Sequence, residues 1–107
     1  MGEIINIKCN KCKVNMNFNL GTGMRETGRE GVVTYCNSCR EYSLQYEAYE
    51  DGILYASDFP EDKTPARCKC GGILNKIYSS EMFTDGKRIN CPTCSEELEI
   101  KRVGLFD

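Results

Sequence analysis

Eight cysteines stand in four close pairs, and they are the residues of this chain best suited to chemistry. The pairs are Cys9 with Cys12, Cys36 with Cys39, Cys68 with Cys70, and Cys91 with Cys94, and the chain contains no histidine. Two thiolates one or two residues apart can bind one face of a tetrahedral cation, and a second pair completes the site. The four pairs therefore predict two metal sites, each built from four cysteine thiolates.

Zinc is the predicted metal, as two structural ions. The chain has 107 residues, and the cysteine pairs divide it into two similar halves. A unit of that size buries too little apolar surface to offset the entropy of its chain, and a metal often makes up the difference. A structural zinc ion contributes about 10–16 kcal/mol. We therefore expect each half to need its metal in order to fold.

Disulfides are the alternative explanation for eight cysteines, and they belong to oxidising compartments. Residues 1–8 show no basic leader, long apolar stretch or cleavage site of a secretory signal. No apolar run approaches the roughly 18 residues that cross a bilayer. We expect a cytoplasmic protein with reduced cysteines and no membrane association.

The balance of basic and acidic residues indicates which class of partner, protein or nucleic acid, the chain would bind. The chain has 14 basic and 16 acidic residues, for a formal charge of −2. A zinc ion bound by four thiolates carries a net charge of about −2, so two loaded sites lower the total to about −6. General nucleic-acid binders are basic. The acidic total therefore favours a protein partner over nucleic acid.

Several segments show the period of two that is typical of strands. Apolar residues alternate with Asn15, Asn17 and Asn19 over 14–20, so those asparagines are expected on a solvated sheet face, or else in contact with nucleic-acid bases. Further strands are predicted over 32–35, 42–48, 53–55, 73–78 and 97–101, with turns at Asp51-Gly52 and Asp85-Gly86 and one helical turn over 79–83.

The predicted domains follow the cysteine pairs. Residues 1–57 form a first unit with an added hairpin, and residues 67–107 form a second unit. Residues 58–66 are acidic and contain proline, and they are predicted to be a linker.

With two cysteine-bearing hairpins in each half, the sequence resembles the zinc-ribbon family over nearly its whole length. The resemblance implies a small, metal-stabilised, mainly β fold of two zinc ribbons. Each ribbon would have three or more antiparallel strands, with the cysteines in tight turns called knuckles. It also implies sequential pairing, in which the first and second knuckles share one metal and the third and fourth share the other. An interleaved arrangement, first with third and second with fourth, is the alternative.

The knuckles match the family only in part. Family knuckles often read Cys-Pro-x-Cys-Gly, where the glycine adopts a positive φ. Here the third knuckle has Gly71 but only one spacer residue, whereas Lys13, Arg40 and Ser95 follow the other three. Iron, which rubredoxins hold in similar knuckles, is the alternative metal.

Catalysis is not expected. A hydrolytic zinc site keeps one coordination position for water, and four thiolates leave none. The absence of histidine also removes the commonest general base. We predict that the protein is not an enzyme and takes no small-molecule substrate.

Three other features bear on function. Arg25 and Arg29 lie in the glycine-punctuated loop 21–31 and could contact phosphate or an acidic partner, the alternative being a mobile hairpin tip. The six tyrosines are expected to cover the sheet and shield the metals, or to mark a partner surface if they are exposed together. Cys68-Lys69-Cys70 is a close dithiol that would suit a redox switch.

These observations lead to one preferred function and two alternatives. The preferred function is a tandem zinc-ribbon protein that acts as a non-catalytic interaction module for a protein partner. The alternatives are a thiol-redox or metal-handling switch and a transcription-associated ribbon protein that binds nucleic acid.

Overall fold

The computed structural model describes residues 2–22 and 28–106. Its strands and one short helix are β1 Gly2–Cys9, β2 Val14–Gly21, β3 Arg29–Cys36, β4 Glu41–Ala48, β5 Leu54–Tyr55, β6 Leu74–Tyr78, α1 Ser80–Thr84 and β7 Glu99–Phe106. The described strands pair antiparallel within one sheet. This confirms the prediction of a small, mainly β fold.

The seven-stranded sheet of the described residues consists of an outer unit of three strands and an inner unit of four. In the outer unit, β1 lies between β2 and β7. In the inner unit, β3 lies between β4 and β6, and β5 extends the edge of β4. The inner unit falls between β2 and β7 in sequence, so it is nested within the outer one.

The two units join where β2 meets β3, at the pair Gly21 and Gly31. A Cβ atom on Gly31 would lie 2.4 Å from the carbonyl oxygen of Asn19, and Gly21 has a φ of +83°. Any larger side chain on Gly31 would therefore push the two backbones apart, and Gly21 adopts a conformation that favours glycine. These glycines let the sheet continue from one unit into the other.

The alternating pattern of β2 has the predicted orientation. Phe18 and Leu20 are buried, and Asn17 and Asn19 are exposed. The amide of Asn6 on β1 donates hydrogen bonds to the side-chain oxygens of Asn15, at 2.6 Å, and Asn17, at 3.0 Å. The asparagines thus lie on an exposed, polar sheet face.

One hydrophobic core spans both units. Its buried members are Ile5, Ile7, Cys9, Phe18, Leu20, Val33, Tyr35, Tyr42, Tyr78, Cys91 and Leu98. Tyr35 and Tyr42 are neighbours on β3 and β4 and pack edge to face, with ring centroids 5.2 Å apart. Tyr55 is also buried, whereas Tyr49 is 59% exposed. Most tyrosines therefore cover the sheet, as predicted, and do not form an exposed cluster.

The predicted turns and helical turn are present. The backbone N–H of Ile53 donates to the carboxylate of Asp51 at 2.8 Å, in the turn between β4 and β5. Ser79 caps α1 by accepting a hydrogen bond from the N–H of Met82. Within the described residues, no helix has the length and apolar character needed to cross a membrane.

Residues 58–66, the predicted linker, fold back against the inner unit. The N–H of Ala56 donates to the carbonyl of Thr64, and the N–H of Ala66 donates to the carbonyl of Leu54. Strands from both sides of this segment share the sheet, because β6 pairs with β3 and β7 pairs with β1. The predicted boundaries at residues 57 and 67 stay a prediction.

Candidate metal centres

The eight cysteines form two groups in which the four sulfur atoms lie within 4.8 Å of one another. The outer site comprises Cys9, Cys12, Cys91 and Cys94, and the inner site comprises Cys36, Cys39, Cys68 and Cys70. The first knuckle therefore pairs with the fourth, and the second pairs with the third. Both the sequential pairing and the interleaved alternative are wrong.

Strand pairing explains this nested arrangement. The fourth knuckle precedes β7, which runs antiparallel to β1 with Glu99 opposite Lys8, so it arrives beside Cys9. The third knuckle precedes β6, whose Leu74 lies opposite Cys36. Each central strand thus ends in the first cysteine of its site, and a strand from later in the chain brings the second pair.

The sulfur separations fit a tetrahedral metal. Four sulfurs about 2.3 Å from a central zinc ion would lie about 3.8 Å from one another. The separations are 3.5 Å for Cys9 and Cys94, 3.8 Å for Cys12 and Cys91, and 3.6 Å for Cys36 and Cys70. Cys39 and Cys68 are closer, at 3.0 Å. All eight cysteines are free thiols, and the donor set of each site suits one thiophilic ion.

The four knuckles share one backbone feature despite their different sequences and spacings. The residue after the second cysteine has a positive φ in every case: Lys13 58°, Arg40 56°, Gly71 83° and Ser95 66°. The N–H groups of Arg40 and Ser95 each donate, at 2.8 Å, to the carbonyl of the first cysteine of their knuckle. A left-handed conformation costs a non-glycine residue about 1–2 kcal/mol. Lys13, Arg40 and Ser95 therefore adopt the positive φ that glycine would adopt without strain, at a cost in backbone free energy.

Polar hydrogens point at several sulfurs and favour their ionisation. The backbone N–H of Cys39 is the main reason why the pKa of Cys36 falls to about 6. Burial opposes the ionisation of Cys91, but the Tyr42 hydroxyl, at 3.5 Å, and backbone N–H groups lower its pKa to about 6. A hydrogen bond with Cys94 raises the pKa of Cys12 to about 12. Each site thus contains one thiol, Cys91 or Cys36, whose ionisation its surroundings favour, and a bound cation would displace the remaining protons.

The two sites differ in burial. Cys9 and Cys91 of the outer site are 1% and 2% exposed and belong to the hydrophobic core. In the inner site Cys36 is fully buried, but Cys70 is exposed. The outer site therefore packs into the core, with Cys12 and Cys94 partly exposed, whereas the inner site presents Cys70 to solvent.

Close packing surrounds the buried side of the inner site. A Cβ atom on Gly72 would lie 3.1 Å from the sulfur of Cys36 and 3.3 Å from that of Cys70. On the exposed side, Lys69 forms an ion pair with Glu41 at 3.0 Å, and this contact raises the pKa of Lys69. The third knuckle is thus fitted tightly against the β3–β4 hairpin.

Of the two arginines predicted as binding residues, the structure describes only Arg29. Arg25 lies outside the described residues. Arg29 is 4% exposed, and its guanidinium donates to the carbonyls of Ser57, Phe59 and Pro60 at 2.6–3.2 Å. It also lies 3.9 Å above the ring of Tyr55. These contacts hold Arg29 inside the chain, where it anchors residues 57–60, and the predicted binding role of Arg29 stays a prediction.

Sequence reasoning did not single out two residues of these centres: Tyr42, which was grouped with the other tyrosines, and Gly72. Tyr42 contacts a cysteine that is 49 residues away in sequence, and no local pattern marks such a contact. Gly72 directly follows Gly71 in the third knuckle, and the paired glycines were the available signal. Only Gly71 among the two has the positive φ that the family pattern indicates.

Comparison of the chain with models of protein families, with curated proteins and with solved structures gives no match.

Proposed function

We propose that this protein is a zinc-binding protein of the zinc-ribbon type that acts as a cytoplasmic, non-catalytic interaction module. The observation that carries the proposal is the pair of four-cysteine groups at the ends of antiparallel strands. Zinc is preferred because four thiolates in a tetrahedral arrangement form its usual structural site. The residues that would hold the two ions are those of the outer and inner sites.

A structural role for the metals follows from the donor sets. Four thiolates complete the coordination of a tetrahedral ion and leave no position for a substrate or a reactive water. The chain has no histidine that would serve as a general base beside the metal. The ions would instead hold strands that are distant in sequence, such as β1 with the segment leading into β7.

A protein partner is favoured by charge and by exposed apolar side chains. The formal charge is −2 before any metal binds. Among the described residues, Ile73 is 72% exposed, Leu105 60% and Val103 52%. Val103 and Leu105 lie on β7, whose described pairing is with β1 alone. Apolar side chains on such an edge strand support contact with another protein.

Nucleic acid is the second candidate, and one cleft favours it. This cleft has a volume of about 600 Å³ and lies between β7 and the segment that follows α1, where Lys8, Lys87 and Lys101 line it. Its lining also includes Glu97 and Glu99, and Glu97 pairs with Arg88 at 2.8 Å. The lysines would contact phosphates, and the carboxylates weaken the attraction.

Metal analysis followed by capture of partners tests the proposal. The purified protein should contain two zinc ions per chain, and a colourless solution would distinguish zinc from iron. The loaded protein should retain a protein from a cell extract that a Cys36→Ser, Cys39→Ser variant does not retain. A protein without metal, with its cysteines in disulfides, would contradict the proposal. Steeply salt-dependent binding of an oligonucleotide that needs Lys87 and Lys101 would favour nucleic acid.

A further inference from the structure

We propose that the inner site is a peroxide-sensitive site. There, oxidation joins Cys39 to Cys68 in a disulfide and releases the metal, while the outer site keeps its own. The inference rests on the metal loading proposed above and adds a modification site to it. Two differences between the sites carry it, namely the spacing of the sulfurs and their access to solvent.

The sulfur spacing identifies the pair that would react. Cys39 and Cys68 have sulfurs 3.0 Å apart, whereas the other close pairs in the two sites lie at 3.5–3.8 Å. A disulfide bond is about 2.05 Å long, so these two sulfurs need to approach by about 1 Å from the separation seen here, and by about 1.7 Å from the roughly 3.8 Å of a zinc-loaded site. They also belong to different knuckles. The bond would therefore keep the β3–β4 hairpin attached to the segment before β6 after the metal leaves.

Access to solvent identifies the site that would react first. Cys70 is exposed and Cys39 and Cys68 are partly exposed, so peroxide can reach the inner site from water. In the outer site Cys9 and Cys91 lie in the hydrophobic core, and Cys12 and Cys94, although partly exposed, pack against it. Oxidation of cysteine follows thiolate character and exposure. The inner site should therefore react well before the outer one.

The reaction consumes one hydrogen peroxide for each disulfide. The thiolate of Cys39 or Cys68 attacks one peroxide oxygen, the O–O bond breaks, hydroxide leaves, and a sulfenic acid forms. The second thiolate attacks that sulfur, the S–O bond breaks, and the S–S bond forms with loss of a second hydroxide. The two hydroxides take two protons from solvent and become water. The two sulfurs lose two electrons, and the peroxide gains them.

Loss of two donors would release the ion. Cys36 and Cys70 would remain as thiolates, and two thiolates hold zinc much more weakly than four. A dithiol reductant would restore both sulfurs and allow metal to rebind. The inner site would thus exchange a metal for a covalent link between the same two segments.

The test is titration of the metal-loaded full chain with hydrogen peroxide in the presence of a chromophoric zinc chelator, followed by disulfide mapping. We expect release of one of the two ions and a peptide pair joined through Cys39 and Cys68. Retention of both ions, or loss of both at one rate, would overturn the proposal. A disulfide within a knuckle, or in the outer site, would also overturn it.

Two matched variants and the starting metal content separate this inference from the proposed function. Cys12→Ser and Cys39→Ser each remove the second cysteine of a hairpin knuckle. The Cys39–Cys68 disulfide should form after peroxide treatment in the first variant and be lost in the second, where the outer ion should stay bound.

A wild-type chain without two ions before peroxide counts against the proposed function. Two ions followed by unselective release count against the peroxide-sensitive site alone.

Discussion

The hydroxyl of Tyr42 on β4 lies 3.5 Å from the sulfur of Cys91 in the outer site, although Tyr42 belongs to the inner unit. Its neighbour Tyr35 on β3 is hydrogen bonded through its hydroxyl to that of Thr93, at 2.8 Å, in the same knuckle. β3 ends at Cys36 of the inner site. The strands that present one metal site therefore also support the other.

Tyr42→Phe should weaken metal binding at the outer site. The variant keeps the ring but loses the hydrogen bond to the Cys91 sulfur, and loss of such a partner costs about 10–100-fold in metal affinity. Competition with a chromophoric chelator measures the affinity of each site. Tyr78→Phe is the matched control, because the buried Tyr78 donates to the carbonyl of Lys87 and not to a sulfur. Equal losses in the two variants would contradict a direct effect on the sulfur.

Arg40→Gly should stabilise the protein. Arg40 has a φ of 56°, and glycine adopts that conformation without strain, so the free energy of unfolding should rise by about 1 kcal/mol. Gly71→Ala is the reverse change at a φ of 83°, with no atom within 4 Å of the new Cβ, and it should lower that free energy by about 1 kcal/mol. Denaturant unfolding of the metal-loaded proteins measures both. The same sign for the two variants would show that knuckle strain is not the cause.

Gly72→Ala should impair the inner site alone. The added methyl group would lie 3.1–3.3 Å from the sulfurs of Cys36 and Cys70, so at least one ligand must move. Gly104→Ala is the control, since its nearest neighbour would be an atom of Ile4 at an ordinary 3.6 Å. Metal content after dialysis against a weak chelator should fall from two ions towards one only for Gly72→Ala. Retention of both ions there would contradict the packing described around the third knuckle.

Arg29→Lys should destabilise the protein by about 2 kcal/mol, because lysine lacks the planar fork with which the buried guanidinium donates to three carbonyls. Arg88→Lys, at an exposed ion pair, should change the free energy of unfolding by less than about 1 kcal/mol. Thermal or denaturant unfolding checks both values. Unchanged stability with lost partner binding in Arg29→Lys would contradict the anchoring role and support the predicted binding role.

Local features of the fold were predictable from the sequence, and the connection between its halves was not. The alternation around Phe18, the Asp51-Gly52 turn and the four knuckles each depend on residues that are close together in the sequence. The partner of each knuckle depends on whether β6 and β7 pair with β3 and β1, and this is a contact between distant segments. Arg29 shows the same limit, because its charge is visible in the sequence but the carbonyls that bury it are not.

The nested pairing of the knuckles is tested most directly by counting zinc ions per chain in two double variants. Cys12 and Cys94 belong to one site, whereas Cys12 and Cys39 belong to two. Cys12→Ser with Cys94→Ser should therefore retain one tightly bound ion, and Cys12→Ser with Cys39→Ser should retain none. One ion in the second variant and none in the first would contradict the arrangement of both sites.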